Sequence, residues 1–235
     1  MPPTALRTAS RPAGERTERP PRRPSTALFA FDRRTGATVV AGADEAGRGS
    51  LAGPLVAAAV VLDLRSIGRR ARRDLAELDD SKRLTPQARE ALAAAILVHA
   101  RQVTVLAASA GTVDRDGLHR TNLRLLGRVL HALDPMPDLC LVDGFRLGDA
   151  PPHRAIVDGD ATSAAVAAAS VIAKTTRDRL MAGPVADAYP AFGFEHHVGY
   201  ATPEHHRALR DEGLCPLHRR SFRSVAYPEL RLFEP

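Results

Sequence analysis

Two adjacent carboxylates, Asp44 and Glu45, follow an apolar run and lead into a glycine-rich turn. Carboxylates at the end of an apolar strand are costly unless a cation binds them. Hard divalent ions such as Mg²⁺ prefer oxygen ligands and suit such a position. The glycines let the backbone approach a ligand closely and expose N–H groups to phosphate. Residue chemistry alone leaves a solvated Asp-Glu turn between two strands as an open alternative.

Two further carboxylates also lie at the boundaries of predicted elements. Asp143 ends a short apolar strand and is followed by Gly144. Asp160 lies just before a long helix, whose dipole favours a negative charge, and capping that helix is its alternative role. Because adjacent residues of a strand point to opposite faces, Asp44 and Glu45 can share a site only if their strand bends or ends there.

Residues 42–54 resemble the N-terminal signature of the ribonuclease HII family, Gly-x-Asp-Glu-x-Gly-Arg-Gly-Pro-x-x-Gly-Pro. Other segments resemble further motifs of that family in the same order, at residues 80–84, 142–144, 158–160, 167–178, 193–194, 197–202 and 218–222. The resemblance covers about residues 38–223 and omits an insert at residues 67–74. Several ordered motifs make it highly specific.

This resemblance implies a ribonuclease H-like fold and an endonuclease that hydrolyses the RNA strand of RNA–DNA hybrids and cuts 5′ of ribonucleotides embedded in duplex DNA. It implies a catalytic, metal-holding cluster of Asp44, Glu45, Asp143 and Asp160, with Mn²⁺ or Mg²⁺ as the cofactor. Two-metal hydrolysis would leave a 5′-phosphate and a 3′-hydroxyl. Asp44 and Asp143 are the expected direct ligands.

The same resemblance implies a set of substrate-binding residues, namely Gly47, Arg48, Gly49, Lys82, Lys174, Arg177 and Tyr200. The turn at residues 47–49 is expected to contact the ribose 2′-hydroxyl, which distinguishes RNA from DNA. Tyr200 is expected to stack on a neighbouring sugar, with a place in the core as its alternative. The two lysines and Arg177 are expected to bind phosphates, and ordinary surface solvation is the alternative for them and for Arg48.

Two positions depart from the family pattern. Ser50 stands where many members have proline, and Val198 stands where the family often has lysine, so one cationic contact is missing. Four nearby histidines lack the spacing of a zinc site, and we expect them to lie on the surface or to face nucleic acid: His196, His197, His205 and His206.

Strand-like and helix-like segments alternate from residue 28 onward. The predicted strands are a hairpin at 37–43 and 54–63, a third strand at 103–108, and short strands at 139–143 and 155–157. The predicted helices cover about residues 85–100, 113–133, 162–181 and 203–212. This order predicts an α/β fold in which a mixed sheet is flanked by helices, with a small C-terminal helical extension.

Composition divides the chain into a tail and a body. Residues 1–26 hold six prolines and six arginines but few apolar side chains, which predicts a disordered tail. Residues 27–235 are predicted to form the catalytic domain, with a C-terminal helical segment over about 182–235. The net charge is +6, and the tail supplies +4 of it (six arginines against two glutamates). The body is left with +2, so charge alone does not prove a polyanionic partner.

The remaining features favour an intracellular protein. Cys140 lies in an apolar run, which favours a buried, reduced thiol over a disulfide. No apolar run approaches the length of about 20 residues that a membrane helix needs. We therefore expect a cytoplasmic monomer that does not contact membranes.

Two other functions remain as alternatives. One is a nuclease or recombinase of the same fold that acts on ordinary DNA, against which the turn at 47–49 and Tyr200 argue. The other is a non-catalytic hybrid-binding protein, which a missing carboxylate would favour, and none is missing.

Overall fold

The computed structural model describes residues 25–78, 81 and 84–222. Most of the predicted tail, residues 1–24, therefore lies outside the described residues, as does Lys82. Ser25 and Thr26, which the composition assigned to the tail, instead begin helix α1 (Ser25–Arg34). The sequence did not predict this helix.

Five strands of the described chain form one mixed sheet in the order β3-β2-β1-β4-β5. Their bounds are β1 Val39–Ala46, β2 Leu55–Asp63, β3 Gln102–Ala108, β4 Leu139–Asp143 and β5 His153–Ile156. The first three strands are antiparallel, which confirms the predicted hairpin, whereas β4 and β5 run parallel to β1. Strand β1 extends three residues beyond its predicted end and thereby includes both adjacent carboxylates.

Helices cover both faces of the sheet, as predicted. The remaining helices are α2 Arg69–Asp74, α3 Pro86–His99, α4 Ala110–Asp116, α5 Leu118–His131, α6 Ala164–Leu180, α7 Ala186–Ala188, α8 Phe194–His197 and α9 Pro203–Glu212. Side chains of α1, α3 and α6 pack on one face, and those of α5 pack on the other. Alternate residues of β1 enter the two cores, Val40 on the α6 face and Ala41 on the α5 face. The predicted helix over 113–133 is two helices, α4 and α5, separated at Gly117.

Helix α6 lies unusually close to the central strand. A Cβ atom on Gly42 of β1 would lie 2.0 Å from the carbonyl carbon of Ala165. The first turns of α6, residues 164–169, are alanine and valine with at most 1% exposure. Small residues on both elements therefore allow the close approach, which brings the later part of α6 to the edge of the sheet that carries the acidic residues.

The C-terminal segment forms a third apolar core beside the sheet. This core joins Leu51 and Ala52, from the loop between β1 and β2, to Met181, Phe194 and other residues of the C-terminal helices. Arg219 N–H donates to the carbonyl of Leu51, and Gly53 N–H donates to that of Leu217. The predicted C-terminal helical extension thus holds the glycine-rich loop in place.

Candidate active site

The acidic residues meet at the carboxyl ends of β1 and β4. These two strands are parallel, and Ala43 pairs with Val142, so Asp44 and Asp143 follow on neighbouring strands. Asp44 leaves the sheet on the α6 face and Glu45 on the α5 face, because adjacent strand residues alternate. Strand β1 ends one residue after Glu45. Both side chains consequently reach one cleft that wraps around the end of the sheet.

This cleft has a volume of about 700 Å³. It collects most of the residues predicted to be functional, and its lining is Asp44, Glu45, Ala46, Gly47, Arg48, Gly49, Ser81, Arg89, Leu118, Asp143, Ser170, Lys174 and Tyr200. Of the remaining predicted residues, Asp160 and Arg177 lie behind this lining.

Asp44 is almost fully buried, and its surroundings disfavour the charged form. Burial raises its pKa well above the ordinary value, and the charges of Glu45, Asp143 and Asp160 raise it further. Ser170 of α6 opposes this effect with a hydrogen bond to the carboxylate. The Ser170 and Ser81 hydroxyls lie 2.9 Å apart, so the hydrogen-bonded chain extends from Asp44 toward the opposite wall of the cleft.

Glu45 is held from the opposite side. Burial raises its pKa, the charge of Arg48 lowers it, and the charge of Asp143 raises it. Arg48 Nη1 lies 3.4 Å from Glu45 Oε1. Oε2 of Glu45 is buried and, among the described residues, has no partner within hydrogen-bonding geometry; the same holds for the side-chain amide of Asn122. A buried carboxylate oxygen without a donor is costly, so this atom is available to a cation.

Asp143 and Asp160 are joined through a tight turn. Asp143 Oδ1 accepts a hydrogen bond of 2.7 Å from Gly159 N–H, and Asp160 lies in the same 3₁₀ turn, Gly159–Ala161. Asp160 is buried, and its charge acts on Asp44. Ser163 is the residue that caps α6, since its hydroxyl accepts from Val166 N–H. The alternative role of Asp160 as the cap of that helix is therefore wrong.

The two glycines of the turn at residues 47–49 differ in what they permit. Gly47 has φ +94°, and a Cβ atom there would lie 2.2 Å from Arg177 Nε, so packing and backbone conformation both require glycine. Gly49 is exposed and a Cβ atom there would have no neighbour within 4 Å. Arg48 lies between them with its guanidinium 4.9 Å from the ring centroid of Phe145. The Gly49 side of the turn is thus open to a ligand.

Lys174 and Tyr200 form the wall opposite the turn. The Lys174 ammonium lies 4.7 Å from the centroid of the Tyr200 ring and 2.8 Å from Asp178 Oδ1. Its side chain keeps only 15% exposure, so the cation is aimed along the wall of the cleft. Tyr200 is half-buried and lines the cleft, which disfavours the alternative of a core tyrosine.

Arg177 occupies a different position from the one predicted. Its side chain is fully buried, and it donates to the carbonyls of Pro54, Ala52 and Val198 and to the hydroxyl of Ser50. A guanidinium directed at these oxygens is not directed at a phosphate in the cleft. The expected phosphate contact of Arg177 is therefore replaced by a role inside the protein.

The expectation that the four histidines lie at the surface is wrong for two of them. His197 and His205 are buried and stack at 4.4 Å between ring centroids. His205 bonds to the Tyr200 carbonyl through Nδ1 and to His218 through Nε2. Burial lowers the pKa of both His205 and His218 to about 4, so these two rings are neutral at physiological pH. These rings support the segment that carries Tyr200.

Several residues of the cleft carried no predicted role. Ser81 and Ser170 belong to segments that resemble family motifs, but nothing in their spacing indicated that Ser170 contacts Asp44 or that the two hydroxyls contact each other. Arg89 donates to the carbonyls of Ser81 and Leu84 and to Asp178, and so ties one wall to α6. Asn122 has no sequence signal, because only the packing of α5 brings it to Glu45.

The donor set fits a hard divalent cation. Mutually repelling, buried carboxylates and the unpartnered Oε2 of Glu45 supply oxygen ligands and an excess of negative charge. Within the described residues, no three side chains of His, Cys, Asp or Glu already stand in an arrangement that would hold an ion. The carboxylates therefore lie close enough to repel one another without the geometry of an assembled ion site.

A mixed sheet in this strand order, with carboxylates at the ends of β1 and β4 facing a glycine turn, defines a ribonuclease H-type nuclease. The family model of ribonuclease HII matches residues 41–225, and the chain belongs to the ribonuclease HII family. It is a ribonuclease H enzyme, and the enzymes of this class depend on divalent metal and act on RNA–DNA hybrids.

Individual relatives agree with this placement. A ribonuclease HII of Azorhizobium caulinodans is 46% identical over 205 residues, covering 86% of this chain and 74% of that protein. The crystal structure of ribonuclease H2 from Pyrococcus horikoshii is similar with a TM-score of 0.69 at 28% identity, covering 84% of this chain and all of that one. The ribonuclease HII in a complex with PCNA from Archaeoglobus fulgidus is similar with a TM-score of 0.64 at 27% identity, covering 77% of this chain and 94% of that one. No helix of the described residues is long and apolar enough to cross a membrane.

Proposed function

We propose that this enzyme cuts the RNA strand of RNA–DNA hybrids and also cuts 5′ of single ribonucleotides embedded in duplex DNA, leaving a 5′-phosphate and a 3′-hydroxyl. The observation that carries this proposal is that the acidic cluster, the open side of the glycine turn and the Tyr200 ring line one cleft. A scissile phosphate beside the carboxylates would have its neighbouring ribose within reach of both recognition elements.

Asp44, Glu45, Asp143 and Asp160 would hold Mg²⁺ or Mn²⁺. Bound divalent ions supply activation of the attacking water and stabilisation of the leaving 3′-oxygen. The protein holds the carboxylates ready: Ser170 orients Asp44, Gly159 N–H orients Asp143, and Arg48 orients Glu45. Oε2 of Glu45 has no hydrogen-bond partner among the described residues and is therefore available to accept a cation.

Recognition of the ribonucleotide falls to the two sides of the cleft. The exposed backbone of Gly49 and the Arg48 side chain can reach a 2′-hydroxyl, a group that a deoxyribose lacks. The Tyr200 ring offers a flat surface to the adjacent sugar, and the Lys174 ammonium beside it offers a positive charge to a phosphate. Lys82 is proposed as a second phosphate ligand from its sequence position alone.

The test compares three labelled duplexes: one containing a single ribonucleotide, a continuous RNA–DNA hybrid, and an all-DNA duplex. Each is incubated with Mg²⁺, with Mn²⁺ or with EDTA, and product ends are mapped. We expect cleavage of the first two substrates only, with metal only. Cleavage of the all-DNA duplex would favour a DNA nuclease of this fold, and binding of the hybrid without cleavage would favour a hybrid-binding protein.

Replacement of Asp143 with Asn assigns the chemistry to this cleft. The variant keeps the side-chain volume but loses a charge, so we expect turnover to fall at least about a hundredfold while hybrid binding persists, because phosphate contacts dominate affinity. The matched control is Asp187→Asn, which changes an exposed aspartate of α7 and should leave turnover unchanged. Near-normal turnover of Asp143→Asn would remove that residue from the catalytic cluster.

A further inference from the structure

Arg177 of α6 joins two separate segments of the recognition surface. Its Nε donates to the Pro54 carbonyl at 3.0 Å, and its Nη2 donates to the Ala52 carbonyl at 2.9 Å and to Ser50 Oγ at 2.8 Å. Its Nη1 donates at 3.0 Å to the carbonyl of Val198, two residues before Tyr200. A fully buried guanidinium is stable only when its donors are paired, so these bonds hold the segments on one rigid group.

The Ser50 hydroxyl connects Arg177 to the glycine turn at residues 47–49. Ser50 is fully buried, and its Oγ donates to the Gly47 carbonyl at 2.9 Å while accepting from Arg177 Nη2. One hydroxyl has one donor and can accept as well, so both of its capacities are used. The proline found at this position in many relatives has no side-chain hydroxyl. The bond between Arg177 and the glycine turn therefore depends on Ser50, a position at which this chain departs from the family pattern.

The tyrosine loop, residues 198–202, contacts the same Arg177 guanidinium. The Arg177 guanidinium lies 5.3 Å from the centroid of the Tyr200 ring. The Gly199 carbonyl accepts from the N–H groups of Leu51 and Ala52, at 2.9 and 3.2 Å. Val198 has φ +44°, a conformation that is strained for a β-branched residue and persists only when its surroundings fix it. The bond from Arg177 to the Val198 carbonyl is one of the contacts that fix it.

We propose that Ser50 and Arg177 are positioning residues that couple the glycine turn to Tyr200, so that the two contacts to the ribonucleotide are set as one unit. The proposal rests on the proposed function of this cleft. Loss of the Ser50 hydroxyl would leave a buried Arg177 N–H without a partner and the Gly47 carbonyl with only the longer 3.4 Å bond from Ser50 N–H, and both sides of the unit would relax. Small displacements of recognition groups have large effects on rate.

A double-mutant cycle tests the coupling. Ser50→Ala and Tyr200→Ala are made singly and together, and kcat/KM is measured on the single-ribonucleotide duplex, with melting temperatures alongside. In the wild-type background we expect Ser50→Ala to lower kcat/KM by about tenfold or more. In the Tyr200→Ala background, where no ring remains to be positioned, the same change should cost several-fold less, since coupled residues are not additive.

The matched control is Ser66→Ala. The Ser66 hydroxyl also donates to a carbonyl three residues earlier, that of Asp63, but lies in an exposed turn away from the cleft. Ser66→Ala should leave kcat/KM nearly unchanged in both backgrounds. The coupling would be overturned if Ser50→Ala lowered kcat/KM by the same factor in the two backgrounds. It would also be overturned if that variant kept the wild-type kcat/KM. If Ser50→Ala melts below the assay temperature, Ser50→Cys takes its place in the cycle, with the same expected result and the same result against it.

A failure of the proposed function would look different. The wild-type enzyme would then fail to cut the single-ribonucleotide duplex. A failure of the coupling alone would leave the wild type active on that duplex and the cycle additive.

Discussion

Asp44 is 5% exposed and lies among three other carboxylates, so in the metal-free protein its charge is unfavourable. Its pKa is raised above the unfolded value. The stability it contributes is therefore present below that unfolded value and is lost as pH rises toward the raised pKa. The metal-free enzyme should lose stability between acidic and neutral pH because of this residue. The acidic cluster favours metal binding at the expense of the stability of the empty protein.

Replacing Asp44 with Asn should therefore have opposite effects on activity and on stability. We expect cleavage to fall at least about a hundredfold, because a charged metal ligand is gone. In EDTA at neutral pH the variant should melt at a higher temperature than the wild type, since it removes a buried charge and a source of repulsion. Added Mn²⁺ should raise the melting temperature of the wild type far more than that of the variant. The measurement is a set of melting curves from pH 5 to 8, with EDTA or Mn²⁺.

Two results would contradict this account of Asp44. One is an Asp44→Asn protein that is less stable than the wild type in EDTA at pH 7. The other is an equal gain in melting temperature from Mn²⁺ in both proteins. Asp187→Asn serves again as the control, and its melting curves should follow those of the wild type under every condition.

Among the elements, α1 has a role that its place before the first strand did not indicate. Asp32 of α1 is fully buried and accepts a hydrogen bond of 3.0 Å from Ala165 N–H, at the start of α6. Helix N-termini attract negative charge, yet burial outweighs this effect and raises the pKa of Asp32 to about 6. Through this contact α1 positions the helix that carries Ser170 and Lys174.

The Asp32 contact should make stability depend on pH in a specific direction. Because its folded pKa is raised, Asp32 contributes stability that is complete below about pH 4 and is lost as pH rises through about 6. Asp32→Asn retains an acceptor for Ala165 N–H but does not titrate. Between pH 4 and 8, the free energy of unfolding of the variant relative to the wild type should rise by about 2–3 kcal/mol, because folding raises the pKa of Asp32 from 3.8 to about 6. Urea unfolding at several pH values measures it.

Asp138 provides a control of opposite sign. Its carboxylate accepts from the N–H groups of Val39 and Thr38, which lower its pKa. Its contribution is therefore present above the unfolded pKa and is lost on acidification, so Asp138→Asn should be less stable than the wild type at neutral pH and approach it at low pH. A pH-independent difference for Asp32→Asn would show that Asp32 does not titrate as described.

At the scale of the whole molecule, positive charge is distributed unevenly along the chain. Residues 1–24 carry six arginines and two glutamates, whereas the rest of the chain carries a net charge of +2. We expect deletion of residues 1–24 to leave kcat unchanged, because the cleft is built from residues 44–200. The slope of log affinity against log salt for hybrid duplexes should become shallower by about one to four, according to how many net charges contact phosphates.

Fluorescence anisotropy at several salt concentrations, paired with turnover at saturating substrate, checks this prediction. Replacing six tail arginines with glutamine in the full-length protein is the matched control and should reproduce the shallower slope. A truncated protein that loses its maximal turnover, or that keeps the full salt dependence, would contradict the view that the tail acts only through its charge.

The sequence by itself determined the chemistry-bearing residues and the elements that carry them. Asp44 and Asp143 end apolar, β-branched runs, and such runs predict strands from local alternation alone. The sites at the ends of β1 and β4 followed from this pattern together with the family resemblance. Local signals such as Thr85 before Pro86 similarly identified the start of α3, where Thr85 is the cap.

Only the tertiary structure decided which face or depth each residue occupies. Arg177 has the sequence character of an exposed cation, yet it is buried, because carbonyls more than a hundred residues away in the chain supply its partners. His205 and Asn122 are placed by the packing of α9 and α5, and Asp32 by the approach of α6. Such placements depend on contacts between distant segments, which neither periodicity nor spacing encodes. For this reason the sequence identified the carboxylates of the cleft, but not the buried hydrogen bonds that hold its recognition loops.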